Sequence, residues 1–91
     1  MKKRLRVIVS GTVQGVNFRW VTMEEAERLK LCGWVKNLAD RKVEAVFEGE
    51  EEALADILEF IKKGPPAARV TTVEETYSEF SGEFTGFSIQ H

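Results

Sequence analysis

The sequence predicts an α+β sandwich, an antiparallel sheet with two helices on one face. Three observations carry that prediction. Strand-like segments alternate apolar and polar residues, the mark of a sheet with one buried face. Two helical segments each present a single apolar stripe. No repeat, low-complexity stretch or linker interrupts the alternation of short strands and helices.

Taken in order, residues 4 to 9 set Leu5, Val7 and Val9 against Arg4 and Arg6, a half-buried strand. Residues 11 to 17 follow as a loop with two glycines. From Trp20, apolar residues recur at Met23, Ala26 and Leu29, an amphipathic helix. Gly33 is placed to supply the positive φ that ends it. Trp34 to Leu38 and Lys42 to Glu48 are extended runs separated by Asp40-Arg41, a β-hairpin. The second helix is the clearest element, with Leu54, Ile57, Leu58 and Ile61 at i, i+3, i+4 and i+7. Glu50 to Glu52 at its start and Lys62-Lys63 at its end match the macrodipole, and Gly64-Pro65-Pro66 stop it. Val70 to Tyr77 and Phe84 to Gln90 read as further strands. The order β-α-β-β-α-β, plus a closing strand, is the split βαβ, ferredoxin-like arrangement.

The 91 residues are 43% apolar and 31% charged, too apolar for disorder and too charged for a membrane protein. A chain of this length holds one core, so residues 1–91 are expected to form a single domain. A lone cysteine, Cys32, cannot form an internal disulfide. Cys32, His91 and two Asp residues offer no metal-ligand spacing, so no metal is expected. Val7-Ile8-Val9 is too short for a signal or membrane segment, and a cytoplasmic location is expected. The net charge of −2 argues against a nucleic-acid partner, and a monomer is the default. That charge is split. Residues 1–42 hold ten Lys/Arg and four Asp/Glu, whereas residues 43–91 hold three and eleven. The split reads either as a basic functional face or as ordinary solvated surfaces.

Packing explains the loop Gly11-Thr-Val-Gln-Gly-Val-Asn-Phe-Arg19 least well. Gly15 and Asn17 tolerate unusual φ, which lets successive backbone N–H groups converge on an anion. Arg19 adds a planar fork of donors suited to phosphate oxygens. No Gly-Lys-Ser/Thr follows, so this is not a nucleotide-hydrolysing P-loop. On residues alone, an anion nest and a plain glycine-containing connection both remain open.

Val9 to Arg19 also resembles the first signature of the acylphosphatases, a G-x-V-Q-G-V-x-F-R loop. Gly33-Trp-Val-Lys-Asn-Leu-Ala-Asp40, followed by Val43 and Gly49, is similar to their second. The similarity continues through Gly64-Pro-Pro and Ala68 to Val73 to the closing Gly86-Phe-Ser-Ile89, so it spans essentially the whole chain. The resemblance implies hydrolysis of the carboxyl-phosphate bond of acyl phosphates to a carboxylate and inorganic phosphate, without metal or cofactor. Carried over, Arg19 binds the phosphoryl group with backbone N–H groups of Gln14, Gly15, Val16, Asn17 and Phe18, and Asn37 orients the attacking water. Two positions depart from the family: Asn17, and Arg41 after Asp40, where glycine is usual. If the Asp40-Arg41 turn needs positive φ, Arg41 is strained by roughly 1 kcal/mol.

Cys32 and the two tryptophans, Trp20 and Trp34, read as packing residues rather than a nucleophile and a base-stacking platform. His91 reads as frayed. Little beyond the loop is available to grip an acyl portion, so broad acyl tolerance is expected. The alternatives are a ferredoxin-like module binding RNA or an acidic partner, and a non-catalytic phosphate- or anion-binding module. The former lacks an RRM's aromatic strand, since residues 42–48 offer only Phe47.

Overall fold

The computed structural model describes residues 1–91. Its elements are β1 (Lys2–Thr12), α1 (Phe18–Arg28), β2 (Cys32–Asn37), β3 (Val43–Glu50), α2 (Glu51–Lys63), β4 (Arg69–Glu79) and β5 (Phe87–Gln90). The five strands form one sheet in the order β4-β1-β3-β2-β5. Four of them run antiparallel to their neighbours as expected, while β5 lies parallel to β2.

The centre of the sheet is β1 against β3, in register from Lys2↔Glu50 to Val9↔Val43. Alternation turns Leu5, Val7 and Val9 of β1 and Val43, Ala45 and Phe47 of β3 into the core, all fully or almost fully buried. Leu54, Ile57, Leu58 and Ile61 of α2 pack on that layer, as their spacing predicts. The ring of Phe87 stacks on Phe47, with centroids 5.4 Å apart, and pins short β5 to the sheet. Gly64 caps α2, its N–H donating to the Phe60 carbonyl.

The first helix follows its predicted stripe in part: Ala26 is buried and Met23 and Leu29 pack against the core. Its buried residues are Phe18, Thr22 and Ala26, at i, i+4 and i+8, while Trp20 is 54% exposed rather than packed. Thr22 in the middle of the stripe removes the hydrophobic signal, and Trp20 supplies a misleading one. Trp34, by contrast, is half-buried.

The helix also stops without Gly33. Lys30 takes the left-handed conformation at φ 60°; its N–H donates to the Glu27 carbonyl and that of Leu31 to Ala26. These two bonds are a Schellman motif, and its Leu31 and Ala26 are both buried in the core. Gly33 instead lies inside β2, where a Cβ would sit 1.8 Å from the Val46 carbonyl oxygen. Close approach of two strands requires glycine there, not the helix end.

On the sheet face away from the helices, charge is paired across strands. Arg6 Nε donates to Glu44 Oε2 at 2.7 Å, and Lys36 Nζ lies 3.9 Å from Glu44 Oε1. Arg4 Nε donates to Glu48 Oε2 at 2.8 Å and also pairs with Glu83. The basic first half and the acidic second half of the chain therefore meet along β1 and β3.

Glu48 is buried, 2% exposed, and receives more than Arg4. The Ser81 N–H and hydroxyl donate to its Oε2 at 2.8 Å each, and the Gly82 N–H to its Oε1 at 3.0 Å. Burial alone would raise its pKa, but the Ser81, Arg4 and Gly82 hydrogen bonds outweigh burial and hold it at about 2. A carboxylate held below its unfolded value of 4.5 stabilises the fold above that value. The contribution, on the order of 3 kcal/mol, fades as pH falls from about 4.5 toward 2. Glu48→Gln should therefore lower the urea midpoint markedly at pH 7, and the gap from wild type should narrow as pH approaches 2. A gap that stays constant with pH would contradict this role for Glu48.

Candidate active site

The loop between β1 and α1 carries the backbone geometry that its sequence suggests. Gly15 has φ 76° and Asn17 φ 63°, with Val16 between them half-buried against the core. No backbone N–H from Gln14 to Asn17 donates to another group of the protein. The loop thus carries uncommitted donors into the start of α1, where Asn17 precedes the helix without a side-chain cap. A helix with no acidic residue in its first turn adds its positive end to them.

Arg19 stands in that first turn, half-buried. Its Nη1 lies 3.5 Å from the Gln90 carbonyl oxygen and 3.4 Å from His91 Nδ1, long contacts that leave most of the guanidinium's donors available. Asn37 ends β2, across the sheet from the loop. Its Oδ1 is buried and has no hydrogen-bond partner. Such an acceptor costs about 1–3 kcal/mol unless something donates to it. Arg19 and Asn37 line one cavity of about 570 Å³ together with Gly15 and Asn17 of the loop. The sequence-predicted residues are thus brought together, with Arg19 and Asn37 delivered by different elements.

The hairpin that carries Asn37 is tight. Leu38 N–H donates to the Lys42 carbonyl at 2.8 Å, and Arg41 N–H to the Leu38 carbonyl at 3.3 Å. Arg41 has φ 70°, so this turn does require positive φ, and the arginine bears the cost that glycine would avoid.

Two contributions escaped the sequence. The Gln14 side chain, beyond its backbone, donates from Nε2 to both the Leu38 and Lys42 carbonyls at 2.8 Å. One amide group thus ties the loop to the hairpin and fixes the Arg19 side of the cavity relative to the Asn37 side. No local pattern announces a bond across more than twenty residues. His91, rather than fraying away, lines the cavity beside Arg19. Only the parallel pairing of β5 with β2, ending at Lys36↔Gln90, brings it there.

Comparison with known proteins points the same way. The family model Acylphosphatase matches residues 5–89. The chain is 52% identical over 88 residues to an acylphosphatase of Rubrobacter xylanophilus, covering 97% of this chain and 80% of that protein. It is 47% identical over 91 residues to one from Geotalea uraniireducens, covering all of both. The crystal structure of acylphosphatase from Bacillus subtilis matches with a TM-score of 0.94 at 43% identity, again over the whole of both chains.

The Gln14 tie makes a directional prediction. At pH 7, Gln14→Glu should be less stable than Gln14→Ala, because a carboxylate would face two carbonyl oxygens while alanine only leaves them unpaired. Urea midpoints of the two variants check this. A Glu variant at least as stable as the Ala variant would show that the side chain is not a donor here.

Proposed function

The chain belongs to the acylphosphatase family, as an enzyme of acyl phosphate hydrolysis, and on that premise we propose how its residues divide the reaction. Residues 1–91 are read as one domain built around a single site. Arg19 holds two of the three phosphoryl oxygens with its guanidinium fork, and the loop amides from Gln14 to Phe18 hold the third and share the other two. Charge that develops on those oxygens in the transition state meets donors already in place, so little reorganisation is needed.

Asn37 Oδ1 accepts a hydrogen bond from the attacking water and aims its oxygen at phosphorus. As the new P–O bond forms, the bond from phosphorus to the acyl oxygen breaks, and the carboxylate departs with the electron pair. The water proton passes to a phosphoryl oxygen, since an amide cannot take it. A carboxylate is a good leaving group, so positioning and charge stabilisation suffice without a strong protein base. The observation that carries this reading is the orphaned Asn37 Oδ1 in the cavity that Arg19 lines. A buried acceptor with no protein partner suits a water held at that point.

Turnover of benzoyl phosphate with EDTA present is the primary test. Phosphate binding without turnover would leave a non-catalytic anion-binding module instead.

Asn37→Ala should lower kcat by at least about 100-fold while KM and the phosphate inhibition constant stay near wild type. If Asn37 only braces its hairpin, the urea midpoint falls and activity follows the folded fraction. Measuring kcat, phosphate inhibition and the urea midpoint on one preparation decides between these.

Arg19→Lys keeps the charge and loses the fork. It should be nearly inactive and bind inorganic phosphate weakly. Wild-type turnover in this variant would remove Arg19 from the proposal.

A further inference from the structure

The cavity that holds Arg19 and Asn37 is larger and more apolar than a phosphate site needs. A volume of about 570 Å³ falls in the range of cavities that take whole small molecules. Arg19, Asn37 and the loop define its polar end. Besides buried Val13 and the terminal His91, the remaining wall is formed by Phe18, Trp20, Met23 and Ile89. Three of these have reasons to be where they are: Phe18 is buried, and Met23 and Ile89 pack partly on the core. Trp20 has none. It is 54% exposed, makes no aromatic or cation-π pair, and follows Arg19 directly in the first turn of α1.

We infer that this apolar wall is an acyl-group subsite, with Trp20 as its specificity-determining residue, and that it favours flat aromatic acyl groups over acetyl. The inference rests on the proposed phosphoryl site at Arg19, which fixes one end of the substrate. With the phosphoryl group on Arg19 and the loop, the acyl group leaves through the same cavity, whose available walls are the indole, Met23 and Ile89. An indole offers an aromatic acyl group a face for offset stacking. A thioether at Met23, three residues on and so on the same side of the helix, adapts to different rings and favours contact with them. Acetyl offers this wall only a methyl group and no face to stack. Selectivity by size and flatness thus replaces the broad tolerance expected from sequence.

Two non-hydrolysable probes test this without turnover. Benzylphosphonate and methylphosphonate share an anionic end and differ in the apolar group. By calorimetry the protein should bind benzylphosphonate about five- to tenfold more tightly, the scale of one aromatic contact. Trp20→Ala should abolish that preference and leave methylphosphonate affinity unchanged, and Trp20→Phe should restore most of it. Because Trp20 is exposed, both variants should fold, and their urea midpoints check this. A preference that survives in Trp20→Ala would overturn the subsite. If neither phosphonate binds the wild-type protein, the phosphoryl reading itself fails, and the subsite with it. In turnover, Trp20→Ala should lower kcat/KM for benzoyl phosphate by the same factor and leave acetyl phosphate within about twofold. An equal loss on both substrates would also refute the role.

Discussion

The register of β1 against β3 is the constraint from which the rest of the molecule follows. From Lys2↔Glu50 to Val9↔Val43 it decides which face of each strand enters the core. A slip of β1 by one residue would turn Leu5, Val7 and Val9 outward and bring Arg4 and Arg6 under the helices. A slip of β3 would do the same with Phe47 against Glu44 and Glu48. Two independent signals forbid that slip. The apolar face is buried by α2, and the polar face is pinned by Arg4–Glu48 and Arg6–Glu44 pairs that match only in this register. The register also builds the site. β1 runs into the Gly15–Asn17 loop just past its pairing of Val9 with Val43, and the Asn37 hairpin ends at Val43. Loop and hairpin are neighbours because their strands are, and Gln14 closes the remaining gap.

Strain is placed where this frame can hold it. Asn17, Lys30 and Arg41 all adopt left-handed backbone, at about 1–2 kcal/mol each, less for asparagine. Lys30 recovers part of the cost through the Schellman bonds that end α1. Asn17 lines the cavity, and Arg41 stands in the hairpin that follows Asn37, where the backbone turns sharply. The same frame accounts for part of the uneven charge of the chain. Arg4 and Arg6 of β1 and Lys36 of β2 pair with Glu44 and Glu48 of β3 and with Glu83 after β4. Most acidic residues of the second half lie instead on α2 and β4.

What was legible in the sequence follows from the range of the interactions involved. Helix α2 was readable because its stripe, charges and Gly64 stop all lie within one segment. The central strands were readable from strict alternation, and the Arg41 strain from a single turn. The Gly15–Asn17 loop announced itself by residue type. Features set by distant partners were hidden. Thr22 lies fully buried on α1 beside the predicted Met23, Ala26 and Leu29, and its residue type does not announce that. Gly33 is demanded by the Val46 carbonyl of a neighbouring strand, not by the helix before it. The Gln14 bonds and the approach of His91 depend on long-range pairing, and the parallel direction of β5 has no local signature. Trp20 was read as a packing residue because a large apolar side chain is one on average, and exposure cannot be read from residue type.

The candidate site gathers groups that the fold itself leaves unpartnered. The buried Asn37 acceptor costs about 1–3 kcal/mol against a total stability on the order of 10 kcal/mol. Beside it are uncommitted loop amides, left-handed Asn17 and an exposed indole. Such features persist together only where something other than stability retains them. They share one cavity, whereas the opposite end of the sheet answers its buried charge with a full set of donors at Glu48. Polar groups there are satisfied by the protein, whereas at the cavity Asn37 Oδ1 and the loop amides are not. On the proposed reading, an acyl phosphate with its attacking water supplies negative oxygens for the amides, a water for Asn37 and an apolar body for the indole. That joins the proposed phosphoryl site and the proposed Trp20 wall into one substrate-shaped surface.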